Sequence, residues 1–173
     1  MTRETLDLER LAVPAVMERR AADGDSPFLP FGAAVGRQVP DFLPIGGRRL
    51  VRQTSSTHGP DGYITTDPDQ ISLMQARLFA KIETAVPEFT FYEETAVPGA
   101  DTLVIAYGVT ARAAKAAVMK AGLACRNASL LVLKTLWPVP EKLIREKAGP
   151  YRQVVVAEMN LGQYVREIER LLP

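Results

Sequence analysis

The chain has few of the residues with which proteins hold metals or form covalent cross-links. Its 173 residues include one cysteine, Cys125, and one histidine, His58. A lone cysteine cannot form an internal disulfide, and no second thiol is present to build a tetrahedral metal site or to hold an iron–sulfur cluster. We therefore expect no metal site in this chain, an inert Cys125 and a reducing, cytoplasmic location.

The chain also lacks an excess of charge and a long apolar run. Lysine and arginine number 21 against 20 aspartate and glutamate residues, a net charge of +1, so no general field attracts nucleic acid or an anionic membrane. The apolar stretches fall short of the roughly 20 residues that span a bilayer, and residues 1–7 lack the apolar core of a signal peptide. We expect neither nucleic acid nor a membrane as a partner, and no secretion.

Residues 1–48 show no sustained helical or strand period and are interrupted by prolines and the pair Gly46-Gly47. Such a long irregular segment is unusual inside a compact domain. We predict a proline-rich arm or interdomain linker over residues 1–48, followed by one α/β domain over residues 49–173. The arm also predicts that the chain is a fragment of a longer protein.

The α/β domain is predicted from three consecutive strand–helix units. In the first unit, the apolar run Thr102–Tyr107 predicts a buried strand and Gly108 predicts a turn. Residues Ala111–Ala121 predict a helix, with Thr110 as its N-terminal cap and Gly122 as its C-terminal end. The later units place strands at residues 129–133 and 153–157, a helix at 140–148 and a last helix from about residue 164. An earlier helix is predicted from Pro68 to about Thr84, with Asp67 as its cap.

Three such units imply right-handed crossovers and a mainly parallel sheet with helices on both faces, which is a three-layer α/β/α sandwich. In such a sheet, ligands usually bind beyond the carboxyl ends of the strands. The residues that follow the three predicted strands, and are therefore candidates for ligand or subunit contact, are Gly108, Thr110, Trp137, Glu158, Asn160 and Gln163.

Two interpretations of these strand-end residues remain open. In the structural one, Thr110 and Asn160 cap helices, Gly108 turns the chain and Trp137 packs at the domain edge. In the functional one, the side chains of Glu158, Asn160 and Gln163 contact a ligand or a neighbouring subunit.

Other candidate motifs are weak. Tyr107-Gly108-Val109-Thr110 offers one glycine where a dinucleotide fingerprint needs three, and no phosphate-binding loop occurs. His58 has no recognisable nucleophile nearby, so a loop hydrogen bond competes with a role as catalytic base. His58 is also kept as a candidate for ligand or subunit contact. Glu93-Glu94 predicts a solvated edge, and the arginines at positions 48, 49 and 52 lack interleaved aromatic residues for base stacking.

Four motifs, in this order, resemble those of the alpha subunits of 2-oxoacid:ferredoxin oxidoreductases. The first, from Thr54 to Tyr63, is similar to a Thr-Gly-x-x-His-Asp-Glu-x-Gly stretch of that family, although Ser55 replaces its glycine and Gly59-Pro60 its acidic pair. The other three are Ala106-Tyr107-Gly108, Leu136-Trp137-Pro138-Val139-Pro140 and Glu158-Met159-Asn160-Leu161-Gly162-Gln163.

The resemblance implies a domain similar to the transketolase C-terminal domain, acting in packing and assembly. It implies partners, namely a thiamine-binding beta subunit and an N-terminal alpha-subunit domain, with gamma or delta subunits and ferredoxin in the wider assembly. Thiamine diphosphate, an iron–sulfur cluster and coenzyme A are implied for the parent complex and no cofactor for this chain. We carry over no catalytic residue and expect the chain to be inactive alone. The role of His58, the 2-oxoacid and the oligomeric state stay open.

A second hypothesis comes from another functional class. As in other open α/β sheets, the strand-end crevice could serve a free-standing module that binds a small anionic or acyl-coenzyme ligand. The proline-rich arm is the feature that distinguishes the first hypothesis, because it should connect to an upstream domain; saturable stabilisation by such a ligand would favour the second.

Overall fold

The computed structural model describes residues 12, 15–16, 18–24, 27–32, 39–123 and 127–172. The prediction that Cys125 is an inert residue falls outside these ranges. The chain divides into two compact units, residues 1–78 and 79–173, and each is described by itself. The predicted domain boundary after residue 48 lies inside the first unit and stays a prediction.

The predicted helices and strands are present with ends close to the predicted positions, and α2 and β1 are additional elements that were not predicted. In chain order they are α1 (Pro68–Glu83), α2 (Val86–Phe89), β1 (Tyr92–Thr95), β2 (Thr102–Tyr107), α3 (Thr110–Leu123), β3 (Ala128–Leu133), α4 (Glu141–Ala148), β4 (Gln153–Ala157) and α5 (Gln163–Glu169). Within the described ranges, no helix is both long and apolar enough to cross a membrane.

The described residues ahead of α1 form neither a helix nor a multi-residue strand. Ahead of α1, strand-like pairing among the described residues is limited to two isolated bridges, Ala21 with Phe42 and His58 with Ile64. Beside the first bridge, Arg20 Nε lies 2.7 Å from a carboxylate oxygen of Asp41. Contacts of this kind order the segment locally without building a helix or a sheet.

Gly62 forms the tight turn of the loop that contains His58. Its φ is +81°, and a Cβ at this position would lie 2.6 Å from the carbonyl oxygen of Arg52. We expect Gly62→Ala to lower the free energy of unfolding of this unit by about 2–3 kcal/mol, because both the left-handed backbone and the close approach oppose a side chain. Urea denaturation followed by circular dichroism measures the effect.

Gly46 supplies the matched control for this prediction. Its φ is +97°, but an added Cβ would meet no atom within 4 Å. Gly46→Ala should therefore cost only about 1 kcal/mol, the penalty of the backbone conformation alone. Equal losses in the two variants would contradict the role of the contact with Arg52.

The sheet is mainly parallel, as predicted, with the strand order β1-β3-β2-β4. β2 pairs in parallel with β3 on one side and with β4 on the other. β1 pairs antiparallel with β3 and was not predicted as a strand, because its four residues are all exposed and show no apolar alternation. Its Glu93 and Glu94 form ion pairs with Lys134 and Lys147.

Side chains alternate between the two faces of the sheet. Leu103 and Ile105 of β2 point into a cluster with Ile144 of α4 and Ile168 of α5. Ala106 points into the opposite cluster, whose other buried members are Ala114 and Val118 of α3 and Leu130 of β3. Helices cover both faces, which confirms the predicted three-layer arrangement.

The direction of each crossover explains which face a helix covers. The chain moves from β2 to β3 towards one side of the sheet and from β3 past β2 to β4 towards the other. Right-handed crossovers in opposite directions place their helices on opposite faces. α3 therefore lies on one face and α4 on the other.

One predicted helix end was wrong. Gly122 was predicted to close α3 in a left-handed conformation, but the helix continues through it to Leu123. Gly122 is absent from the described glycines with positive φ. A glycine can end a helix in a left-handed conformation but does not have to, because the right-handed conformation is equally open to it.

Candidate functional site

A hydrogen-bonded cluster joins the carboxyl ends of β2 and β4. The hydroxyl of Tyr107 donates to Glu158 Oε2 at 2.6 Å, and Asn160 Nδ2 donates to the same hydroxyl at 2.8 Å. The last residue of one strand is thus tied to two residues that follow the neighbouring strand. The polar side chains at this position satisfy one another.

The same side chains also cap α5. Glu158 accepts hydrogen bonds from the backbone N–H groups of Tyr164 at 3.0 Å and Val165 at 3.2 Å. Asn160 Oδ1 accepts from the N–H groups of Gly162 and Gln163, both at 2.9 Å. The predicted cap by Asn160 is confirmed, whereas the capping role of Glu158 was not predicted. The N-terminal N–H groups of α5 are therefore occupied by the chain's own side chains.

The electrostatics of Glu158 follow from these contacts. Burial disfavours its charged form, but hydrogen bonds from Tyr107, from the backbone of Tyr164 and Val165 and from Asn160 together lower its pKa below the ordinary value. The pKa of Tyr107 is raised, first by burial and then by its bond to the carboxylate. The pair therefore consists of a neutral phenol that donates to a carboxylate, an arrangement that stabilises structure.

Thr110 has a different role from the one predicted. Its hydroxyl oxygen lies 2.6 Å from the carbonyl oxygen of Tyr107 and 2.9 Å from that of Ala157, so its single hydrogen is shared between these two acceptors and is directed at the strand ends, away from the first turn of α3. Because these carbonyls belong to neighbouring strands, Thr110 links β2 to β4. Gly108 turns the chain between β2 and α3 with a φ of +55°, as the structural interpretation predicted.

Trp137 does not pack at the domain edge as predicted. Its side chain is 74% exposed, and a cis peptide bond joins it to Pro138. The indole therefore lies outside the core. It borders an open groove of about 680 Å³ whose lining residues are Phe79, Glu83, Val86, Pro87, Leu136, Trp137, Pro138, Val139, Glu141, Lys142, Tyr164, Glu167 and Arg170.

Tyr164 is a structural residue of this region that sequence reasoning treated only as part of a helical face. Its ring lies 5.3 Å from that of Tyr107 in an edge-on arrangement, and its hydroxyl donates to the carbonyl oxygen of Leu136 at 3.2 Å. Burial raises the pKa of Tyr164 to about 12. A tyrosine on the buried face of a short helix is the available signal, because such a residue needs a partner for its hydroxyl.

His58 belongs to the first unit, whereas the strand-end residues belong to the second. Its ring lies 3.8 Å from the ring of Phe31, and Nδ1 lies 3.0 Å from the carbonyl oxygen of Gly59. The predicted loop hydrogen bond is present. These contacts favour the structural interpretation of His58 over a role as catalytic base.

The basic segment near His58 acquires an aromatic neighbour through folding. The guanidinium of Arg52 lies 4.0 Å from the centre of the Tyr63 ring. This contact was not predicted, because no aromatic residue is interleaved with the arginines in the sequence.

The described residues also bear on metal binding. Within the part of the chain that the structure describes, no group of three or more histidine, cysteine, aspartate or glutamate side chains is placed to hold an ion.

Comparison with known proteins identifies relatives of the whole chain and of its second half. The sequence profile of pyruvate:ferredoxin oxidoreductase core domain II matches residues 100–173. The 2-oxoglutarate synthase subunit KorA of Archaeoglobus fulgidus is 36% identical over 127 residues, which are 73% of this chain and 35% of the relative. The same subunit of Methanothermobacter marburgensis is 32% identical over 170 residues, 94% of this chain and 44% of the relative.

A shorter sequence match and a solved structure agree. The ketoisovalerate oxidoreductase subunit VorB of Methanothermobacter thermautotrophicus is 38% identical over 77 residues, 44% of this chain and 22% of the relative. The structure of 2-oxoglutarate:ferredoxin oxidoreductase from Magnetococcus marinus, with 2-oxoglutarate, coenzyme A and succinyl-CoA bound, matches with a TM-score of 0.77 and 23% identity over 91% of this chain and 28% of that one.

The relatives named are enzyme subunits, and the chain spans less than half the length of each. At 23% identity the structural match supports the fold, while the sequence matches carry the relationship. The chain belongs to the 2-oxoacid:ferredoxin oxidoreductase family and corresponds to part of one subunit that includes core domain II.

Proposed function

We propose that the chain is the C-terminal packing and assembly domain of the alpha subunit of a thiamine-dependent 2-oxoacid:ferredoxin oxidoreductase. The complete enzyme would oxidatively decarboxylate a 2-oxoacid, transfer the acyl group to coenzyme A and pass electrons to ferredoxin. A beta subunit and an N-terminal alpha-subunit domain would hold thiamine diphosphate. The iron–sulfur cluster and the contacts with ferredoxin would lie on other chains or domains.

The internal use of the strand-end polar groups supports this proposal most directly. The Glu158 carboxylate accepts from Tyr107 and from two backbone N–H groups of α5. Asn160 accepts from two further N–H groups. A site that bound an anionic substrate would need such donors to be free. This argues for a structural domain that supports chemistry performed elsewhere.

We expect the isolated chain to show no turnover of 2-oxoacids with coenzyme A and an artificial electron acceptor. The physical reason is that the proposed cofactors are held by other parts of the enzyme. Turnover is expected to appear when the chain is produced together with both a thiamine-binding beta subunit and an N-terminal alpha-subunit domain. Robust turnover by the chain alone would overturn the proposal.

The alternative, a free-standing ligand-binding module, is tested with the same protein. Thermal-shift measurements with coenzyme A, its thioesters and thiamine diphosphate are expected to show no saturable stabilisation. Gln163→Ala is the informative variant, because the Gln163 side chain is exposed while its backbone N–H is held by Asn160. A stabilisation that Gln163→Ala abolishes would favour the module.

A further inference from the structure

The first unit contains an open cavity of about 720 Å³ that no part of the proposed function uses. Its volume lies within the usual range for small-molecule sites. Among the described residues, those with charged or aromatic side chains that line it are Phe28, Arg49, Arg52, Asp61 and Tyr63. We call it the Arg52 cavity, because Arg52 brings hydrogen-bond donors to it that the chain does not use.

The guanidinium of Arg52 is held in place without being neutralised. It lies 4.0 Å from the centre of the Tyr63 ring. Such a stack fixes the plane of the guanidinium but leaves its five N–H donors, which point outward in that plane, free to meet an acceptor. Among the described residues, none accepts a hydrogen bond from this side chain or forms an ion pair with it. The fork of donors is therefore available to a ligand.

The other arginine of the Arg52 cavity also keeps its charge. Arg49 donates to the carbonyl oxygens of Gly24 at 2.8 Å and Ala22 at 2.9 Å, and both of these acceptors are neutral. The Asp61 carboxylate accepts the backbone N–H of Tyr63 at 3.0 Å. The charged groups of the described lining are thus two guanidinium groups and one carboxylate, with a net charge of +1. Such a site favours an anion that carries a single charge.

Backbone contacts fix the loops that carry Arg52 and Tyr63. The N–H of Phe31 donates to the carbonyl oxygen of Pro60 at 3.0 Å and ties two of the loops together. Gly62 approaches the Arg52 backbone so closely that a Cβ would lie 2.6 Å from its carbonyl oxygen. The cavity is therefore shaped by the chain itself, which lowers the cost of ordering it around a ligand.

We propose that the Arg52 cavity binds a monocarboxylate that is carried on an apolar body. The planar fork of Arg52 matches the two oxygens of a carboxylate. Apolar lining residues, among them Phe28, Leu29 and Val51, accommodate the body of the ligand. A phosphate monoester carries nearly two negative charges at neutral pH and exceeds the charge of the site. This inference goes beyond the proposed function, since it concerns binding by this chain alone.

The experiment titrates the complete 173-residue chain with phenylacetate in a calorimeter. We expect saturable binding below about 10 mM. Phenylacetamide, a neutral molecule of nearly the same shape, is expected to bind at least about tenfold more weakly, because it cannot accept two charge-assisted hydrogen bonds. Phenyl phosphate is expected to bind more weakly than phenylacetate.

Variants of the Arg52 cavity test the residues that recognise the carboxylate. Arg52→Gln should weaken phenylacetate binding at least about tenfold, and Arg52→Lys, which keeps the charge but loses the fork, at least about threefold. Tyr63→Leu should weaken binding in the same direction, because the guanidinium loses its stack. Arg48→Gln is the matched control, since Arg48 is exposed and does not line the cavity. Its affinity should stay within about twofold of the wild-type value.

Three results would overturn the proposal. One is the absence of saturable phenylacetate binding to the wild-type chain, and another is equal affinity for phenylacetamide. The third is tighter binding of phenyl phosphate, which would make the cavity a phosphate site. If Arg52→Gln shifts the urea midpoint of the chain, Arg52→Lys decides, and wild-type affinity in that variant refutes recognition by the guanidinium fork. Each of these results leaves the proposed function intact, because none of them depends on the oxidoreductase assembly.

Discussion

Replacing Ile105 with alanine is expected to lower the free energy of unfolding of the second unit by about 3–4 kcal/mol. Ile105 is fully buried in β2, where it is paired with Leu131 of β3 and Val156 of β4. Its side chain lies in the cluster that also contains Ile144 of α4. Removing it leaves a cavity between the sheet and that helix layer, which the packed surroundings cannot close.

Urea denaturation followed by circular dichroism measures this loss, and hydrogen exchange of β2 localises it. Val155→Ala is the matched control, because Val155 is also a β-branched strand residue but is 41% exposed on the edge strand β4. Its loss should stay below about 1 kcal/mol. If the two substitutions had equal effects, the central position assigned to β2 would be wrong.

Replacing Glu158 with alanine is expected to destabilise the second unit by about 2 kcal/mol at neutral pH. The carboxylate accepts hydrogen bonds from the Tyr107 hydroxyl and from the N–H groups of Tyr164 and Val165, so its removal uncaps α5 and separates it from β2. The expected loss of stability is modest because the Glu158 carboxylate is partly open to solvent, which screens its interactions. Chemical denaturation at several pH values measures the effect.

The pH dependence has a definite sign. The folded protein holds the pKa of Glu158 below the ordinary glutamate value, so its contribution is fully present above about pH 4.5 and is lost as the pH falls through the folded pKa. The difference between wild type and Glu158→Ala should therefore shrink below about pH 4. A difference that grew on acidification would contradict the ionised cap.

Glu146→Ala supplies the control for this series. Glu146 lies in α4 and meets Lys142 at 3.8 Å with both side chains largely exposed. Such a pair contributes little, so the variant should match the wild type within about 0.5 kcal/mol at every pH. If Glu158→Ala lost no more stability than Glu146→Ala across the pH series, the structural role of Glu158 would be wrong.

Several elements were predictable because local chemistry and tertiary structure agree. β2 and β4 have the predicted ends, since each is an apolar run rich in β-branched residues and bounded by polar residues or glycine. The α1 cap was predicted from Asp67, whose carboxylate accepts the N–H of Asp69 at 2.9 Å. The predicted cap by Asn160 is likewise confirmed, because its side chain accepts a hydrogen bond from the nearby N–H of Gln163.

Other features depend on contacts between distant parts of the chain. β1 has four exposed residues, so its place in the sheet comes from pairing with β3 and from the ion pairs of Glu93 and Glu94. The hydroxyl of Thr110 donates to Ala157, 47 positions away. No local pattern distinguishes a hydroxyl that caps its own helix from one that joins two strands.

The sequence by itself determined the class of fold, the order of its strand–helix units and the family. Each of these is encoded by periodicity, turn residues or motifs that lie within a short stretch of the chain. Only the tertiary structure decided the roles of the other strand-end residues. It turned Glu158 inward to cap α5 beside Asn160, used Thr110 to join two strands, and left Trp137 and Leu161 exposed. The physical reason is that polar groups near buried N–H donors must be paired, and which donors lie within reach is set by strand order and packing.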